Sequence, residues 1–162
     1  MIEQQLVKFL GNAKKLIVML IGNTLRCDDG IAIALYEDLK REAERHEKVH
    51  VIACGEVPEN FTSVLRELKP SHVLLIDTVD FGAKPGDLAF FTPDQLSSIS
   101  LSSHRMSLRV LSRFIEETIG AKVALVGIQP KNLEFGFKLS AEVREAGEKL
   151  VEILAEVFRK RF

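Results

Sequence analysis

The chain has 162 residues, 46% hydrophobic and 28% charged, with a formal net charge of −1 and two cysteines. That length suits one domain whose folding buries roughly two thirds of the unfolded surface. The balanced charge excludes a general nucleic-acid binder, which needs a strong positive field, and the hydrophobic share excludes a disordered chain.

The opening MIEQQLVKFL carries Glu3 and two glutamines among scattered apolar residues. Residues 1–15 therefore read as a short helical extension and not as a secretory signal. No apolar run approaches the ~20 residues of a membrane-crossing helix, so no membrane partner is expected. LIVMLI, Leu16 to Ile21, is an apolar run too short for a helix and suited to a strand buried on both faces. The turn GNTLRC leads to two adjacent acids, Asp28 and Asp29. Beyond them Ile31, Leu35 and Leu39 recur at helical spacing, which predicts one amphipathic helix to about His46.

Val49 to Cys54 reads as a second strand, GEVPEN as a loop, and Phe61 to Leu68 as a short helix ended by Pro70. HVLLID, His72 to Asp77, is a third buried strand. FGAKPGD is a turn, and Leu88 to Phe91 a short edge strand. Ser103 opens a helix whose Leu108, Leu111, Ile115 and Ile119 share a face, with Gly120 as its stop. Val123 to Ile128 is a fifth strand and QPKNLEFG a loop. Ser140 is placed to cap a last helix with Val143, Ala146, Leu150, Ile153 and Val157 inward. Strands and helices alternate, so the expected fold is α/β, with a largely parallel sheet covered on both faces over residues 1–162.

Sites in such folds form outside the carboxyl ends of the strands. Asp28 and Asp29 follow the first strand, Asp77 ends the third, and His104 opens the helix after the fourth. Each has an ordinary structural reading: Asp28 as a helix N-cap, Asp29 as a favoured charge in a first turn, Asp77 as a loop acceptor. Asp80 reads as a support for its loop. Taken together, Asp29, Asp77 and His104 offer two carboxylates and an imidazole, a three-ligand set with open positions that suits a borderline divalent ion. Such an ion polarises a carbonyl or lowers the pKa of a bound water. Cys27 and Cys54 read as buried structural thiols in a reducing, cytoplasmic setting. Phosphate-cradle motifs and the G-x-S-x-G nucleophile elbow are absent.

GNTLRCDDG, LLIDTVD, SSHRMSL and VGIQP, in this order, resemble the hydrogenase maturation endopeptidases. GEVPEN with LRELKP, the KPGD loop and GIQP resemble the branch that processes the large subunit of the formate-hydrogenlyase type of nickel–iron hydrogenase. The resemblance runs from about Leu16 to Ala146. It implies a three-layer α/β/α sandwich with a twisted, mostly parallel five-stranded sheet. It also implies removal of a C-terminal extension from a hydrogenase large-subunit precursor after nickel insertion. The metal-contacting positions of the family fall on Asp29, Asp77 and His104, with nickel presented by the substrate and not held tightly by the free enzyme. Asn23, Gly55, Glu56 and Gln129 are the further substrate-binding candidates, and a monomer is expected. Two other classes compete. A receiver-type signalling domain shares the acid pair and the strand-ending Asp, but needs a lysine ending the fifth strand, where this chain has Gly127 and Ile128. A non-proteolytic nickel-delivery or metal-binding module needs more ligands than three.

Overall fold

The computed structural model describes residues 1–98 and 108–162. Helix α1 (Ile2–Phe9) precedes strand β1 (Leu16–Ile21), then come α2 (Ile31–Ala34), α3 (Tyr36–Ala43), β2 (Val49–Gly55), α4 (Thr62–Leu68) and β3 (His72–Thr78). The second half holds β4 (Leu88–Phe91), α5 (Leu108–Phe114) with a π-helical turn Ile115–Ile119, β5 (Lys122–Ile128) and α6 (Ala141–Arg161). The predicted mostly parallel, five-stranded α/β sheet is present in the order β2-β1-β3-β5-β4, and only β4 runs antiparallel.

Both faces of the sheet are covered because consecutive strand residues point to opposite sides. Leu16, Val18, Leu20, Leu74, Ile76, Ala124 and Val126 pack into one core with α1, α2, α3 and α6. Ile17, Met19, Ile21, Val73, Leu75, Val123 and Leu125 pack into a second core with α4 and α5. All six β1 residues are buried, and each such aliphatic side chain contributes about 2 kcal/mol relative to exposure. That double burial explains why these strands read as continuous apolar runs and not as alternating ones.

The N-terminal helix is fastened to the C-terminal one. Leu6 and Leu10 are buried in the first core, Lys160 bonds Glu3 at 2.8 Å, and Arg161 Nε donates to Leu10 O at 2.9 Å. The single helix expected to His46 is instead two, broken at Leu35 (φ −86°, ψ −3°), whose amide takes a tight-turn bond to Ala32 O. The bend fits Ile31 and Leu35 against Gly147 of α6, where a Cβ would stand 2.8 Å from Ile31 Cδ1. Gly120 ends the π-helical turn at φ 82°, as expected of a helix stop.

Strand order reverses between β1 and β3: the chain leaves β1 for β2 on one side and returns to β3 on the other. In an open α/β sheet such a reversal opens a crevice at the carboxyl ends of the two strands. Asp29 follows one of those strands, and Asp77 is the next-to-last residue of the other.

Candidate active site

Two glycines allow the segment after β1 to fold back on itself. A Cβ on Gly22 would stand 2.1 Å from Asp29 O, and one on Gly30 would stand 2.9 Å from Thr24 Cα. With both side chains absent, residues 22–24 lie directly against residues 29–30. Asn23 N–H donates to Asp29 Oδ2 at 3.0 Å, and Asn23 Oδ1 accepts from Leu25 N–H at 2.8 Å to close the turn. A short 3₁₀ helix, Cys27–Gly30, then carries Asp29, which is buried.

Asp77 arrives from β3. By strand alternation it follows Val73 and Leu75 onto the α5 side of the sheet, and Thr78 follows Leu74 and Ile76 onto the α2 side. Thr78 joins the two acids: its hydroxyl donates to Asp29 Oδ1 at 2.6 Å, and its amide donates to Asp77 Oδ1 at 2.8 Å. Asp29, Asp77 and Thr78 are all buried, so these bonds act in a low-dielectric setting. Thr78 is the site residue that sequence reasoning missed; the signal was a hydroxyl residue directly after the strand-ending acid.

Asp28 does not cap the helix it precedes. Its Oδ2 accepts from the amides of Lys131 and Asn132, each at 2.9 Å, and from Ser140 Oγ at 2.8 Å. Its Oδ1 accepts from Ser140 N–H at 2.7 Å. Burial alone would push this carboxyl up, but the bonds from Ser140, Asn132 and Lys131 outweigh it and hold its pKa below the usual range. Ser140 occupies the N-cap position of α6 as expected, yet its hydroxyl goes to Asp28 and not to the helix. One acid of the pair therefore fixes the β5–α6 loop, and the other faces the crevice.

The remaining candidates divide. Gly55 sits at the carboxyl end of β2 at φ 62°, beside a register shift between Leu20 and Ile21, and accepts from Gly22 N–H at 2.9 Å. Glu56 follows it, half-buried. Gln129 is buried and directed at the β3–β4 loop: Oε1 accepts from Phe81 and Ala83 amides, and Nε2 donates to Asp80 Oδ1 at 3.1 Å. Asp80 also accepts from Gly82 N–H, the loop support expected of it. His104 lies outside the described residues, as does Ser103. Among the described residues, no three His, Cys, Asp or Glu groups stand close enough to hold a metal ion. Cys27 and Cys54 are buried free thiols. Burial, with the Glu59 charge, pushes the Cys54 thiol up to about 12. Lys131, the lysine nearest the end of β5, gives its backbone amide to Asp28, but its ammonium pairs at the surface with Glu142 at 2.8 Å and not with the acids as a receiver domain requires.

Known proteins share this fold. The family model described as hydrogenase maturation protease matches residues 33–157. The hydrogenase 3 maturation protease of Escherichia coli is 31% identical over 139 residues, 85% of this chain and 87% of its own length. The crystal structure of a nickel–iron hydrogenase maturation protease from Thermococcus kodakarensis superimposes with a TM-score of 0.87 at 27% identity, covering 96% of this chain and 99% of that one. The solution structure of an Escherichia coli endopeptidase superimposes at 0.72 with 28% identity, covering 85% and 87%. The chain belongs to the hydrogenase maturation proteases.

Proposed function

We propose that this protease removes the C-terminal extension of a nickel-loaded hydrogenase large-subunit precursor, and that Asp29, Asp77 and His104 recognise the nickel that the precursor carries. The observation that supports it is the pair of buried carboxylates at the β1–β3 crevice, joined through Thr78, in a chain of this family. Two carboxylates and an imidazole are a modest ligand set for a free ion. A nickel already bound by precursor thiolates can accept them as additional ligands. Only the metal-loaded precursor then docks, so nickel insertion is checked before cleavage. In the hydrolysis, water adds to the scissile carbonyl carbon, the C–N bond breaks, and the water's protons end on the new carboxyl and amine groups. An Asp carboxylate at the crevice is placed to take the first of them.

In this reading Asn23, Gly55 and Glu56 border the peptide cleft, and Gln129 serves it from behind by holding the 80–83 loop. The chain acts as one domain and as a monomer, and its unbonded cysteines support a cytoplasmic setting. The formate-hydrogenlyase type of hydrogenase is the expected partner. The test mixes the protein with nickel-loaded and nickel-free precursor and follows the mass of the large subunit. Shortening of the loaded form alone supports the reading. Asp29→Ala, Asp77→Ala and His104→Ala should each abolish it, and normal processing by all three variants rejects the assignment.

A further inference from the structure

Phe135 and Phe137 are 82% and 74% exposed, yet the backbone between them is anchored on both sides. Gly136 donates its N–H to Leu25 O and accepts the Cys27 N–H, each at 2.8 Å. Glycine is required there twice over, because φ is 150° and a Cβ would stand 3.0 Å from Cys27 Sγ. Asp28 grips the same loop on either side of the phenylalanines, at residues 131, 132 and 140. Leu25, on the opposing segment, is 44% exposed. None of the bonds that build this strap uses a phenylalanine side chain, so the fold does not call for aromatic residues at either position. Large rigid apolar groups fixed on an ordered base are the usual anchors of protein interfaces, because little conformational freedom is lost when they dock.

We propose that Leu25, Phe135 and Phe137 form an apolar platform on which the folded large-subunit precursor seats itself while its C-terminal segment enters the crevice. This rests on the protease reading above. Continuity with the acid edge identifies the occupant: the Cys27 amide that clamps Gly136 lies two residues before Asp29 on the same short helix. The platform is therefore carried by the loop that the Asp29 helix itself holds. The complementary surface on the precursor is apolar, to match Leu25, Phe135 and Phe137, and the charges flanking the phenylalanines, Glu134 and Lys138, are of opposite sign.

The test uses the double variant Phe135→Ser/Phe137→Ser and the matched Phe135→Leu/Phe137→Leu, with nickel-loaded precursor as substrate. The serine pair should keep the wild-type Tm and raise KM at least about ten-fold, with kcat within about two-fold. The leucine pair should stay near the wild-type KM. Cleavage by the serine pair at the wild-type KM overturns the platform, and so does a leucine pair as impaired as the serine pair. A concentration-dependent wild-type dimer that the serine pair abolishes, seen by sedimentation, also overturns it, because a second copy is then the occupant. A wild-type protein that leaves the loaded precursor uncut defeats the protease reading and the platform together.

Discussion

The Thr78 hydroxyl donates to Asp29 Oδ1 at 2.6 Å, so the last residue of β3 holds the acid that follows β1. Its amide holds Asp77 from the other side. Side chains that orient a site's acids in this way commonly change activity by 10–100-fold when removed. Thr78→Val keeps the shape and deletes the hydroxyl donor. We expect kcat on loaded precursor to fall about ten-fold or more, with stability down by about 1 kcal/mol and KM little changed. Thr78→Ser should restore most of the rate; a purely structural role would be rescued by valine instead.

Gly22→Ala places a methyl group 2.1 Å from Asp29 O, a backbone atom that cannot rotate away. The segment must open to admit it, at about 2–3 kcal/mol. Because Asn23 N–H and Asp29 Oδ2 sit on the two sides of that contact, processing should fail as well. Equilibrium denaturation and the precursor assay measure the two effects. A stable, active Gly22→Ala protein would contradict the close approach.

Asp28→Asn should destabilise by about 3 kcal/mol, read as a lower denaturant midpoint. Both Asp28 oxygens accept hydrogen bonds, and the introduced amide group must turn two hydrogens toward existing donors. The pH dependence has a definite sign. The folded-state pKa of Asp28 lies below its ordinary 3.8, so the unfolded chain takes the proton first. The stabilisation is whole above about pH 4 and is lost as pH falls through the folded value. Asp28→Asn should therefore flatten the acid limb of the stability curve.

His72 contributes a second acid-sensitive element at the opposite end of β3. Burial first, and the Lys122 charge second, hold its imidazole below the ordinary 6.5, against an opposing pull from the Phe9 carbonyl. The unfolded chain again protonates first, so stability is full above about pH 6.5 and declines as pH drops toward the folded value. His72→Leu removes this slope and leaves Ser71 Oγ its bond to Lys15 O. Urea titrations of both proteins between pH 7 and pH 5 should diverge; parallel curves would sink the assignment.

Gln129 illustrates what a position in the sequence cannot say about its use. GIQP lies just past β5, on the same sheet edge as the acids, and a role against the peptide was expected. The side chain turns to the β3–β4 loop, because the amides of Phe81 and Ala83 need an acceptor there. Cys54, next to last in β2, lies toward the same edge of the sheet, yet burial pushes its thiol up to about 12 and leaves it protonated at any ordinary pH.

Period and composition were enough to locate five strands, the helices between them and the edge on which Asp29 and Asp77 stand. Those features follow from burial on two faces and from helical spacing, which are properties of short windows. Folding alone settled the division of labour within the acid pair. Asp28 is bound to Ser140 and Asp29 to Thr78, partners far away along the chain. The break at Leu35, the strap at Gly136 and the exposure of Phe135 and Phe137 have the same origin. Each depends on which backbone groups from distant segments are left needing a partner once the layers have packed, and no local pattern encodes that.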